Sequence, residues 1–165
     1  MTNAIRTLLL LGAATLTFSP ALGHTVAPNA AELARGRMLV AFGGCNDCHT
    51  PGWRESDGTV PVAAWMTGST IGFRGPWGTA YPSNVRLRFQ QVDEDQWLAM
   101  VRTRAGHPPM IWHDLRALDI ADQRAIYRFI RSLGPAGVAA PKNLGPDDTP
   151  KTPSYDLVPS SPPPS

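Results

Sequence analysis

Both cysteines of the chain lie in "GGCNDCHT", residues 43 to 50, with two residues between them and a histidine directly after the second. Cys45, Cys48 and His49 are therefore the first residues to ask about chemistry. Thiols at this spacing can shuttle a disulfide, clip a metal ion, or anchor a cofactor covalently. The redox reading calls for a strand–helix–strand setting, and no strand pattern surrounds the motif. A zinc site needs a fourth ligand, usually from a second Cys or His pair. His24, His107 and His113 stand far off at no matching spacing. A structural disulfide closing so short a loop would remove little chain entropy and constrain almost nothing.

The third device has a mechanical reason for every residue. C-x-x-C-H is the attachment signature of c-type haem. Two thiols with a two-residue spacer reach the two vinyl groups of one porphyrin, and the next imidazole meets the iron from the same face. Gly43 and Gly44, just before the motif, let the backbone approach a macrocycle closely. The expected cofactor is one haem c, covalent through Cys45 and Cys48, with His49 on the iron.

Such a motif must be positioned by elements around it. Asn29 and Glu32 form a capping-box pattern ahead of "AELARGRMLVAF", and the pattern predicts a helix over 30–42 that stops at Gly43-Gly44. Asp93 with Gln96 opens a second helix, "EDQWLAMVRTR", and Asp119 with Asp122 opens a third, "IADQRAIYRFIRSL". In the third, Ile126, Phe129, Ile130 and Leu133 recur at i, i+3, i+4 and i+7, which buries one face. Gly134-Pro135 ends it. Between Thr50 and about Val92 no period is sustained, yet this polar, Gly/Pro-rich stretch carries Trp53, Trp65, Phe73, Trp77 and Tyr81. A loop of that length suits a segment folded around a large apolar object; the protein core could be that object, and a flat cofactor explains it better.

The chain begins with Arg6, an apolar run from Leu8 to about Phe18, then Ala21-Leu22-Gly23. That is the layout of a secretory signal peptide over 1–23, too short to span a bilayer. Losing Arg6 takes the formal net charge from +2 to +1, which suggests neither nucleic acid nor an anionic membrane as a partner. Nine of the 17 prolines fall in residues 135–165, so this tail is expected to be extended or disordered; its one apolar cluster, "YDLV", is where it could dock. The domain proper is 24–134. Ser83 and the aspartates form no recognisable triad, and no Gly-rich loop has phosphate-binding spacing.

Residues 30 to 134 resemble a class I (mitochondrial-type) cytochrome c domain, most closely the mono-haem cytochrome subunits of periplasmic dehydrogenases. "LARGRMLVAFGGCNDCHTPG", "GPWGTAYPSN" and "RALDIADQRAIYRFIRSLGP" carry the likeness. The resemblance implies an all-α cytochrome c fold, with three to four helices around a covalently bound haem, a long irregular loop and an extended Pro-rich tail. It implies that Gly36 meets Tyr127 or Phe129 where the first and last helices cross. It puts the sixth iron ligand, a methionine thioether, in "HPPMIW", where Pro108-Pro109 hold the chain extended. Met110 is thus the expected partner of His49 on the metal, ahead of Met66 and of His107 or His113, while Met38 and Met100 suit packing. A Gly-Pro carbonyl serves the other imidazole nitrogen in that family, and Gly75-Pro76 is its counterpart here. After Asn84 the pattern departs, with "VRLRFQQ" in place of Thr-Pro-Asp, which leaves a haem-propionate role for Asn84 without support. The implied function is one-electron transfer in the periplasm, not enzyme catalysis, with a dehydrogenase, oxidase or quinol-oxidising complex as redox partner. Alternatives are a dedicated subunit of a dehydrogenase, or an open-site haem enzyme or ligand sensor.

Overall fold

The structure is a computed structural model that describes residues 27–106 and 108–158. The signal peptide expected over 1–23, His24 and His107 lie outside these residues. Among the described residues there are six α-helices: α1 Ala30–Phe42, α2 Cys45–His49, α3 Val85–Gln91, α4 Glu94–Thr103, α5 Trp112–Ala117 and α6 Ile120–Ser132. The expected capping devices account for three of them. Asn29 and Glu32 exchange side chain-to-backbone bonds at 2.9 and 3.1 Å at the start of α1. Asp93 and Gln96 do the same at α4, and Asp119 accepts from the Asp122 amide at α6. Each satisfies backbone N–H groups that a helix start otherwise leaves unpaired.

α1 and α6 cross in close contact at Gly36. Gly36 is buried there, and a Cβ on it would lie 2.0 Å from the Ala125 carbonyl oxygen and 2.6 Å from Phe129 Cβ. Phe129 is therefore the aromatic at the crossing. Tyr127 faces another way, its ring 4.9 Å from Phe89 and its hydroxyl donating to the Val92 carbonyl. Around this crossing Leu39, Val40, Trp97, Leu98, Val101, Ile126 and Ile130 make the core. Ion pairs lace the exposed flank, with Arg128 between Glu94 and Glu32 and Arg35 on Asp122.

The all-α expectation is corrected by a three-stranded sheet. β1 Gly72–Gly75 pairs antiparallel with β2 Gly78–Ala80 and parallel with β3 Ser154–Asp156, in the order β2-β1-β3. Strands of three or four residues are too short to display alternation, and the third comes from the Pro-rich tail some eighty residues along the chain. Three short helices, α2, α3 and α5, also escaped the periodic signal, since each is two turns or fewer. The long loop is thus partly ordered as strands and α3.

Its aromatics find protein partners. Trp65 lies edge-on to Trp53 and to Phe129, at 5.1 and 6.1 Å between ring centres. Phe73 packs on Tyr155 of β3, and the Tyr81 hydroxyl pairs with that of Thr152. The large apolar object around which Trp65, Phe73 and Tyr81 fold is the core and the tail. Among the described residues no helix is long and apolar enough to cross a membrane.

Candidate functional site

α1 delivers the chain to the motif, and glycine makes the turn. Gly44 sits in the left-handed region at φ +68°, a conformation that side chains disfavour, and it converts the end of α1 into α2. Within α2, Cys45, Cys48 and His49 stand at i, i+3 and i+4, so the three side chains share one helix face. Asn46, which follows Cys45, is fully buried. Its Oδ1 accepts from the Thr50 hydroxyl at 2.7 Å, and that hydroxyl oxygen accepts from the Met66 amide at 2.9 Å. The Gly68 amide donates to the His49 carbonyl at 2.8 Å. α2 is thus bolted to residues 66–68, and Cys45 packs against the core beside it.

His49 Nδ1 lies 2.8 Å from the Ser83 carbonyl oxygen. A carbonyl can only accept, so Nδ1 carries the proton and Nε2 is the nitrogen with a free lone pair. This corrects the expected acceptor. Gly75 and Pro76 belong to β1 and to the turn before β2, whereas Ser83 stands next to Asn84, the N-cap of α3. No local signal marks Ser83. It is 34 residues from His49, and only the folded chain brings them together. Burial also lowers the His49 pKa, against an opposing effect of the Ser83 bond, which keeps the ring neutral and able to ligate.

The thiols are both free and half-buried. Burial pushes Cys45 up to about 11 and raises Cys48 as well. A redox-active cysteine pair needs the reverse, a thiolate stabilised near neutral pH. These two are protonated sulfur nucleophiles in waiting, held on the same face as an oriented imidazole. A cleft of about 320 Å³ opens beside Cys48, between Thr50, Trp53, Ser69, Phe73 and Val138. Its walls include neither Cys45 nor His49, so it flanks the motif and does not contain it.

The remaining candidates separate by burial. Met66 is 3% exposed within the core, and its carbonyl accepts from the Val85 and Arg86 amides, so its thioether is committed to packing. Met100 is half-buried on α4. Met110 is exposed, on the segment that leads into α5. His113 is a surface residue paired with Asp114 at 3.1 Å. Met38 and Phe42, one helical turn apart on α1, are exposed apolar side chains, and Phe42 is 88% exposed. A helix that leads into the motif therefore carries apolar surface that the described residues do not cover.

Asn84 has a structural task the sequence did not reveal. Its Oδ1 caps α3 by accepting from Leu87, and its Nδ2 donates to the carbonyls of Ala136 and Val138. Arg86, also buried, donates to the carbonyls of Gly134, Leu133 and Ala63, closing the C-terminal end of α6 with a cation, as the helix dipole favours.

Comparisons of the chain with models of protein families, with curated proteins and with solved structures return no match. The likeness to cytochrome c domains therefore rests on the residues quoted above.

Proposed function

We propose that the chain is an exported, mono-haem c-type cytochrome that carries single electrons between periplasmic or membrane-bound oxidoreductases. The observation that carries this reading is the orientation of His49. Its Nδ1 proton is spent on the Ser83 carbonyl, which leaves Nε2 with its lone pair, and the residue shares one face of α2 with both thiols by its spacing. A ring-shaped ligand suits that arrangement, because thioethers hold its rim while the imidazole meets its centre. Haem, when bound, supplies the one-electron iron couple.

The chain's own residues do the rest. Cys45 and Cys48 would fix the ring through their sulfur atoms, His49 would hold the metal, and Ser83 would fix the imidazole's angle and basicity. Met110 is the proposed ligand on the opposite side, since Met66 is packed in the core and the Met110 side chain is exposed. The exposed apolar surface of Met38 and Phe42 would be covered by the ring or by a docking partner. The signal-like N-terminus supports export to the periplasm, where covalent haem attachment takes place in c-type cytochromes as a class.

The test is expression with the natural N-terminus in a host that attaches haem c. Haem staining that survives denaturing electrophoresis, and is lost in the Cys45→Ser/Cys48→Ser variant, is the expected result. A chain that matures and folds without covalent haem would sink the proposal. Prompt carbon monoxide binding to the reduced protein, with no long-wavelength methionine charge-transfer band in the oxidised form, would replace the carrier by the open-site reading.

A further inference from the structure

We infer that the chain after Pro135 is a strap that positions His49, and that Asn84 is the positioning residue through which it acts. The inference rests on reading His49 as an iron ligand. The imidazole is aimed by its bond to the Ser83 carbonyl, so the placement of that carbonyl sets how strongly the ring's N–H is engaged. Ser83 belongs to the run between β2 and α3, and the strap binds this run on both sides of it.

Upstream, Thr79 exchanges both backbone hydrogen bonds with Leu144, at 3.0 and 2.9 Å. The Tyr81 amide donates to Asn143 Oδ1 at 2.8 Å, and the Tyr81 hydroxyl pairs with Thr152 at 2.9 Å. Downstream, Asn84 Nδ2 donates to Ala136 and Val138 at 2.8 and 3.1 Å. Positions 79, 81 and 84 are all held by residues 136–152, and Ser83 is carried among them. The approach is close enough to need glycine. A Cβ on Gly78 would stand 2.1 Å from the Leu144 carbonyl oxygen, and one on Gly137 would stand 3.2 Å from Asn84 Nδ2.

The chemical consequence follows from the hydrogen bond. A well-placed acceptor on the outer nitrogen makes an imidazole a stronger donor to its metal, which favours the more positive, oxidised metal. Loosening the strap lets the Ser83 carbonyl wander, weakens that donation and favours the reduced state. The tail thereby tunes the potential through the Ser83 carbonyl.

Three perturbations of the full-length, haem-loaded protein separate this from a merely structural role. Asn84→Ser keeps a hydroxyl able to cap α3 but cannot reach Ala136 or Val138. Gly78→Ala drives a methyl group into the strap at Leu144 and Gly145. A chain ending at Pro135 lacks the strap altogether. Each is equilibrated with a one-electron mediator of fixed potential, and exchange of the His49 Nδ1 proton is followed by nuclear magnetic resonance. The expected result is a rise of about three- to tenfold in the reduced-to-oxidised ratio, roughly 30 to 60 mV at 59 mV per tenfold, with clearly faster proton exchange. Adding Asn84→Ser to the shortened chain should move neither readout further. If the shortened chain does not accumulate, Gly78→Ala replaces it as the background in the same cycle.

Unchanged ratio and exchange in both point variants would overturn the strap. So would an Asn84→Ser effect as large without the strap as with it, since Asn84 would then act on the cofactor directly. A wild-type chain that carries no covalent haem overturns instead the assignment of His49 as ligand, so the two failures are told apart.

Discussion

Replacing Gly36 with alanine adds one methyl group at the crossing of α1 and α6. Its Cβ would sit 2.0 Å from the Ala125 carbonyl oxygen, 2.7 Å from the Ala125 carbonyl carbon and 2.6 Å from Phe129 Cβ. Two of these atoms are backbone and the third is fixed to it, so none can swing aside. Ordinary contact begins near 3.4 Å, and α1 must retreat from α6 by roughly 1 Å. A gap of that size forfeits about a quarter to a half of each dispersion contact along the seam, which includes Leu39, Val40, Ile126 and Phe129. Overpacking of this kind costs about 1–3 kcal/mol, and a clash with backbone belongs at the upper end. Alanine returns about 1 kcal/mol through its better helix propensity. The expected net loss is about 2 kcal/mol, or roughly 8 °C in Tm for a domain of this size. Thermal and denaturant unfolding of the two proteins, in the same cofactor state, by circular dichroism and tryptophan fluorescence will measure it. A variant as stable as the wild type, or more so, would refute the reasoning, because glycine would then be only a poor helix former at this position.

Thr50→Val removes the hydroxyl that joins Asn46 to the Met66 amide; leaving both buried groups unmatched should cost about 2 kcal/mol in denaturant unfolding, while Thr50→Ser, which keeps the hydroxyl, should cost clearly less. Asp122 is held below the usual carboxylate range by its hydrogen bond to Arg35. Its contribution is therefore present above the ordinary aspartate pKa and lost as pH falls through the lowered one, so the stability gap between wild type and Asp122→Asn should narrow in acid; a gap that widens there contradicts the sign. In protein prepared in the absence of haem, only thiolate reacts with iodoacetamide, so alkylation of Cys45 should climb in proportion to hydroxide towards about 11. A plateau at or below the ordinary thiol value of 9.0 would show that burial does not govern it.

The helices with caps and a long amphipathic face were legible in the residues themselves. Asn29, Asp93 and Asp119 act on amides three residues away, and such local bonds are written into adjacent sequence. α3 carried a signal of the same kind in Asn84, but seven residues (Val85–Gln91) give too few turns for a period to stand out. The sheet gave no sign, because β3 acquires its role only by lying beside β1.

Sequence by itself singled out the residues whose types could do chemistry here: the two thiols and the histidine of α2, whose common face follows from their spacing on any helix. Tertiary structure alone decided what holds them. The acceptor for His49 is Ser83 and not Pro76, Asn84 is bound to the tail, Met66 is spent in the core, and the Pro-rich tail is a structural element of the site's frame. Each of these depends on hydrogen bonds or packing between residues tens of positions apart, and a local pattern carries no information about such pairs until the chain has folded.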